Sequence, residues 1–354
     1  MRRWKNLSHQ TKLLVVFFLL SSIPAMLIGA MAYRKSSDML YNQTKRDLDV
    51  ILAQLNASIE RQVNDFDRFT MLPYFMPDIF QFLNRPYVPK EKWGTAELNA
   101  QKTMVRLMSA YPSINSSING LMVYGMNGTV NGYRMRGDSI INLDDNVKED
   151  SWYKKVLAEK GGFVVTGVHE IKQFAGTPFP AVIGSRSLMD DDYKPLAVIA
   201  IFISPDFIPK IVRSLNLSNV QVTVVDGEGK LIYASDNRLA ERLRGTAPGQ
   251  KKGVWELTDE AETGLDQVQG KGAASSGTTT YSGVFLQSDY LGWKTYMGVN
   301  RDEMLQGSRS IRNFTVVIVI VLGFAVAGRF LVAGERAVEA DLPADSFDAR
   351  GGKR

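Results

Sequence analysis

The sequence has no cysteine and only two histidines, His9 and His169. The first lack excludes disulfide staples and thiolate metal centres, so an exported part of the chain must stand on its hydrophobic cores. The second leaves little for general-base catalysis and no convincing ligand set for a metal, so neither a metal nor a cofactor is expected. No charge falls between Leu13 and Tyr33, and no Gly or Pro falls between Arg34 and Phe69. The net charge of +5 invites a nucleic-acid reading, but Arg2, Arg3, Lys5 and Lys12 account for most of it. The rest is near neutral, which removes the basic groove that nucleic acid needs.

What is present is dominated by the uncharged run Leu13 to Tyr33 (LLVVFFLLSSIPAMLIGAMAY). As a helix rising about 1.5 Å per residue it covers roughly 30 Å, the thickness of a bilayer core. It reads as a membrane span behind a basic cytoplasmic arm, residues 1–12, which the positive-inside tendency keeps inside. A cleaved secretory signal is the rival reading, because Ala30-Met31-Ala32 resembles a cleavage site. A second apolar run, Phe314 to Ala333, reads as a returning span within 311–333. Arg329 can snorkel to the headgroups there. Residues 34 to about 312 are then extracytoplasmic, both termini are cytoplasmic, and the protein sits in the plasma membrane.

Between the spans, Leu48, Leu52, Leu55, Ile59, Val63, Phe66 and Phe69 recur at steps of three and four, which predicts one long helix over 34–70. Its stripe fits either a dimer seam or a face leaning on the following domain. Pro73 and Pro77 end it, and Gln81 to Trp93 reads as loop. A second helix is expected from a Thr95 cap to Ala110, before Tyr111-Pro112. Strands are expected at Ile118 to Met126 and Thr129 to Met135, around an Asn127-Gly128 turn. After the acidic Asp144-Asp145 loop, a short helix opens at Ser151-Trp152-Tyr153. Strands at Gly162 to His169, Pro180 to Ser187 and Leu196 to Ile203 complete the first sheet. The pattern restarts with a helix at Asp206 to Leu215, a hairpin at Val220 to Ala234 and a Gly-rich loop at Gly264 to Gly277. Strands at Thr278 to Gln287 and Trp293 to Val299 and a helix at Met304 to Arg312 close a smaller, abbreviated second sheet.

These features predict an α+β protein: two tandem PAS-like antiparallel sheet units on a long N-terminal helix, flanked by two transmembrane helices. The units divide at 71–205 and 206–310, with a short tail at 334–354. The long helix, the Trp152-Tyr153 pair after an acidic loop, the hairpin Val225-Asp226-Gly227-Glu228-Gly229-Lys230-Leu231-Ile232, and Gly292-Trp293-Lys294 with Arg301-Asp302-Glu303 resemble the double Cache domain of bacterial receptors. The likeness covers about residues 34 to 310, and its style is most similar to sensor histidine kinases of Gram-positive type. It implies a receptor for a small extracellular solute, the sensory part of a two-component system without its own HAMP linker and kinase. Such a chain forms a homodimer or pairs with a full-length kinase. The short tail reads as truncated, frame-shifted or native to an output-less sensor. A chemoreceptor fragment and a surface scaffold are the alternatives.

The resemblance also points to a site. Amino-acid-sensing members place an Arg two residues before the Trp, where this chain has Asp150, then a Tyr where it has Val168 and His169, then an Asp near Asp190. Losing the Arg removes a bidentate carboxylate partner, which favours a neutral, carbohydrate-like ligand. The candidate ligand contacts are Trp152, Tyr153, His169, Arg186, Asp190 and Tyr133. Most have a plainer reading: core or interface aromatics for Trp152 and Tyr153, an ordinary strand residue for His169, solvent for Arg186, and a solvated turn for Asp190. Ser151-Trp152-Tyr153-Lys154 and Ser235-Asp236-Asn237 match two signatures of penicillin-recognising enzymes, but Tyr296 stands where the third needs Gly. No catalytic domain is expected.

Overall fold

The computed structural model describes residues 9–137, 139–142, 146–217, 219–243, 249–259, 279–305, 310 and 312–321. The basic arm up to residue 8, Asp144-Asp145, the Gly264 to Gly277 stretch, Arg329 and the tail lie outside the described residues. The chain divides into two compact units, Met1–Thr44 with Asp302–Arg354, and Lys45–Arg301.

In the first unit, helix α1 (His9–Met71) begins and residues 312–321 are helical. Pro24 lies inside α1. Large apolar side chains stand in the open on both segments, among them Leu20, Ile28 and Met31 at 71, 68 and 71% exposure, and Phe314 and Val321. Among the described residues no helix is long and apolar enough to cross a membrane. The side chains at 13–15, 17–19 and 21, and everything past 321, lie outside the described residues, so both expected spans are covered only in part.

The second unit is built on the rest of α1. Leu48, Leu52, Leu55, Ile59, Val63 and Phe66 are all at most 4% exposed and join one core with both sheets. Burying such a side chain is worth about 1.5–3 kcal/mol, so this stripe anchors the unit. Of the two readings of the stripe, the structure selects the intramolecular one over this stretch. The turns after α1 depart from expectation. Pro73 sits in the 3-10 turn Leu72–Phe75, and Pro77 opens α2 (Pro77–Asn84) instead of only stopping a helix. A Pro at the first helical position gives up an N–H that has no partner there anyway. Helix α3 (Thr95–Ile114) is capped at Gly94, whose N–H donates to Glu97 Oε2 at 2.9 Å, and not at Thr95. It runs through Pro112, in its last turn, where proline gives up the N–H that would bond back to the carbonyl of Met108.

The first sheet has the order β2-β1-β5-β4-β3, all antiparallel: β1 (Ile118–Gly125), β2 (Val130–Arg134), β3 (Phe163–Ile171), β4 (Phe179–Met189) and β5 (Pro195–Ile203). Gly128 adopts φ +93° and donates its N–H to the Gly125 carbonyl at 3.0 Å, while Asn127 is not in the positive-φ region, so the β1–β2 connection is longer than the expected two-residue Asn-Gly turn. Helix α4 (Ser151–Ala158) lies between β2 and β3 in the chain. Strand alternation separates two cores. Leu121, Val123, Ile199 and Ile201 face α1, α2 and α3, whereas Met122, Tyr124, Val198, Ala200 and Phe202 pack with Trp152, Tyr153 and Val156 of α4.

The second sheet repeats the order as β7-β6-β10-β9-β8: β6 (Val220–Val225), β7 (Leu231–Ala234), β8 (Lys252–Asp259), β9 (Thr279–Gln287) and β10 (Lys294–Asn300). Helix α5 (Phe207–Ser214) leads into it, α6 (Asn237–Leu243) precedes β8, and α7 (Arg301–Met304) follows β10. The expected abbreviation is therefore corrected: both sheets have five strands. Strand β8 was missed although its alternation is regular, with Trp255 buried on Phe285 and Tyr296 and Val254 exposed.

Candidate functional site

Helix α4 places the Trp152-Tyr153 pair. Asp150 caps it in extended backbone, and the Trp152 indole N–H donates to Asp150 Oδ2 at 3.0 Å. Trp152 and Tyr153 are buried, and their rings meet Tyr124 of β1, with centroids 6.3 and 6.0 Å away. The Tyr153 ring stands edge-on to Tyr124 and the Trp152 ring is tilted against it, which holds the rings in place. Beside them lies a cavity of about 160 Å³, lined by Met122, Tyr124, Val130, Ile141, Asn142, Asn146, Val147, Lys148, Tyr153 and Gln173 among others. Burial pushes the Tyr153 phenol above its ordinary pKa of 10.0, so it stays a neutral donor at all physiological pH.

Of the six sequence-stated candidates, Tyr153 alone borders this cavity, with Trp152 one ring behind it. Tyr133 packs on the other face of the sheet, paired across β1 with Leu121. Arg186 turns toward α1, where it pairs with Asp67 and donates to Thr70 Oγ1 at 3.0 Å and to the Gly161 carbonyl. Three of its five guanidinium N–H donors are used there, which holds the side chain against α1. Asp190 is also committed: its Oδ1 accepts from the N–H groups of Asp192 and Lys194 at 3.0 and 2.7 Å, closing the β4–β5 turn. His169 lies on β3 where it approaches the β6–β7 hairpin. Burial lowers its pKa below 6.5, and Lys230 adds to this against the opposing pull of Asp150, Asp226 and Glu228.

The residues that sequence reasoning missed are Met122, Tyr124, Asn142, Asn146, Lys148 and Gln173. The alternation of β1 already puts Met122 and Tyr124 on one face; the rest come from separate loops and carry no local signal. Asp236 is an N-cap, its Oδ1 accepting from Arg238 N–H at 2.9 Å and Leu239 N–H at 3.4 Å at the start of α6. No group of three or more His, Asp or Glu able to hold a metal occurs among the described residues.

The fold is that of chemoreceptor sensory domains. The periplasmic sensory domain of the Campylobacter jejuni chemoreceptor Tlp1 superposes with a TM-score of 0.51 at 10% identity, over 75% of this chain and 98% of that one. The ligand-binding domain of Pseudomonas aeruginosa PAO1 PctB, solved with L-Arg, gives 0.50 at 15% identity, over 74% and 97%. That of Campylobacter jejuni Tlp3, solved with L-valine, gives 0.50 at 13% identity, over 76% and 97%. In sequence, the chain is 23% identical over 332 residues to the methyl-accepting chemotaxis protein McpA of Bacillus subtilis strain 168, covering 91% of this chain and 44% of that protein. The chain thus spans less than half the length of this relative. No protein-family model matches it.

Proposed function

We propose that the chain is the sensory part of a transmembrane chemoreceptor, which takes a small polar solute outside the cell into the cavity beside Tyr153. The likeness to McpA, a methyl-accepting chemotaxis protein, supports this reading at least as well as that of a sensor histidine kinase. The observation that carries it lies on a single helix. Apolar side chains from Val16 to Met31 are exposed, whereas those from Leu48 to Phe66 form the core beneath two sensory-type sheets. Exposed apolar surface of that length is suited to lipid. The chain carries no catalysis of its own, forms a homodimer in the membrane, and passes to its output a shift set by the solute's differential affinity for two states.

The solute is small, because the cavity is. Neighbours of this fold were solved with L-valine and L-arginine, and Lys148 supplies a cation for a carboxylate. With Asp150 engaged by the Trp152 indole, a neutral hydroxylated solute bound through Asn142, Asn146 and Gln173 is the second reading. Thermal unfolding of the full chain in detergent, with a panel of L-amino acids and neutral sugars, tests both. A binding solute at a hundred times its Kd adds about 2.7 kcal/mol. Lys148→Ala and Asn146→Ala, both at exposed positions, should abolish that gain; a panel without a hit, or a gain indifferent to both changes, overturns the reading.

A further inference from the structure

Beside the Tyr153 cavity, at the β2 edge of the first sheet, lies a larger one, of about 460 Å³. That volume is within the range of roughly 300–1,000 Å³ typical of ligand sites. The two adjoin at β2: Gly128, Val130 and Ile141 line both, while Asn131, paired with Val123, lines the larger one. The second cavity opens between Asn131 and the segment joining α2 to α3, which contributes Tyr87, Lys90 and Trp93.

Its wall is already arranged. The Trp93 indole N–H donates to the Val88 carbonyl at 2.8 Å, and its ring stands edge-on to Phe82 with centroids 5.9 Å apart, so the indole plane is fixed. Lys90 Nζ lies 5.9 Å from the Trp93 ring centroid and makes no ion pair among the described residues. Gln101 Oε1 is buried in the lining and has no hydrogen-bond partner among the described residues. A buried acceptor left without a donor costs free energy unless something arrives to satisfy it. The amide of Asn131, which is 8% exposed, borders the same space.

We propose that this cavity is a second ligand site, for a small sugar acid. The C–H face of a saccharide ring suits an aromatic wall of Tyr87 and Trp93. Its hydroxyls supply the donor that Gln101 lacks and a partner for the Asn131 amide, and its carboxylate meets Lys90. The two aromatic residues and the lysine come from a single short segment, so an occupant ties that segment to the β1–β2 hairpin.

The test uses the full chain in detergent, titrated with D-glucuronate and with D-glucose while tryptophan fluorescence and calorimetry are followed. Saturable glucuronate binding is expected, with glucose about tenfold weaker or more. Lys90→Met, at an exposed position, should weaken glucuronate by a similar factor and leave glucose unchanged. Gln101→Leu should raise the melting temperature of the unliganded protein and weaken both sugars. Absence of saturable glucuronate binding overturns the proposal, as does binding that Lys90→Met leaves intact. Binding lost in Lys148→Ala but not in Lys90→Met assigns glucuronate to the Tyr153 cavity and overturns it equally. A failed solute panel at the Tyr153 cavity leaves this result readable, because the two sets of variants share no residue.

Discussion

Arg186 of β4 and Asp67 of α1, 119 residues apart in the chain, form an ion pair at 12 and 22% side-chain exposure. The same guanidinium donates to Thr70 Oγ1 and to the Gly161 carbonyl, so one side chain joins the sheet, the loop before β3 and one turn of the helix. A planar fork with several donors suits this role, and a lysine ammonium does not reproduce it.

Removing either partner leaves the other charge half-buried and unmatched. Arg186→Ala and Asp67→Ala should each lower stability by about 1–3 kcal/mol, and Arg186→Lys should recover less than half. A double-mutant cycle by denaturant unfolding should give a coupling of about 1 kcal/mol or more, because the residues are in direct contact. Additive losses would mean that the pair is not a unit.

Gly167 sits at the register shift in β3, where a Cβ would come within 2.3 Å of Asp226 Oδ2. The Asp226 carboxylate cannot simply swing aside, since its Oδ1 accepts from the N–H groups of Glu228 and Lys230 at 2.9 and 2.8 Å. Gly167→Ala should therefore destabilise by about 1–3 kcal/mol. Pairing it with Asp226→Gly should return part of the loss, which calorimetry can measure.

The His169 pKa is depressed in the folded chain, so the unfolded chain binds the proton more tightly. Stability is therefore full above the ordinary value of 6.5 and declines as pH falls below it toward the folded value. His169→Gln should flatten this slope between about pH 7.5 and 5.5. Equal slopes in the two proteins, read from urea midpoints, would show that His169 is not its source.

Asp236 caps α6, and Asp236→Ala should cost about 0.5–2 kcal/mol, with Asp236→Ser recovering most of it. Neither the parent nor the variant should take up a fluorescent penicillin. Covalent labelling of either would restore the enzyme reading.

How much of this was legible depends on where the information lies. The α1 stripe was readable because a period of 3.6 repeats over many turns, and β1 and β2 because Asn127-Gly128 marks their turn. Helix α2 was hidden by Pro77, since the same residue ends one helix and begins another. Strand β8 was passed over beside the Gly-rich stretch despite the alternation of Val254, Trp255, Glu256 and Leu257. The site was half legible. Trp152 and Tyr153 were found through resemblance, but the cavity walls come from loops distant in the chain. Arg186 could not be placed without knowing that Asp67 faces it.

Glu60 and Asp67 are seven residues apart on α1. Glu60 Oε1 accepts from Ser288 Oγ in the β9–β10 turn of the second sheet at 2.6 Å, and Asp67 accepts from Arg186 of the first. Seven residues make two turns, about 10.5 Å of axis with a return to nearly the same bearing. The spacing of the sheets is thus written in the residue count of the helix, as the spacing of two nuts is written in the pitch of a screw. One residue inserted between 60 and 67 would swing the two acids about 100° apart, so that the helix could engage either sheet but not both.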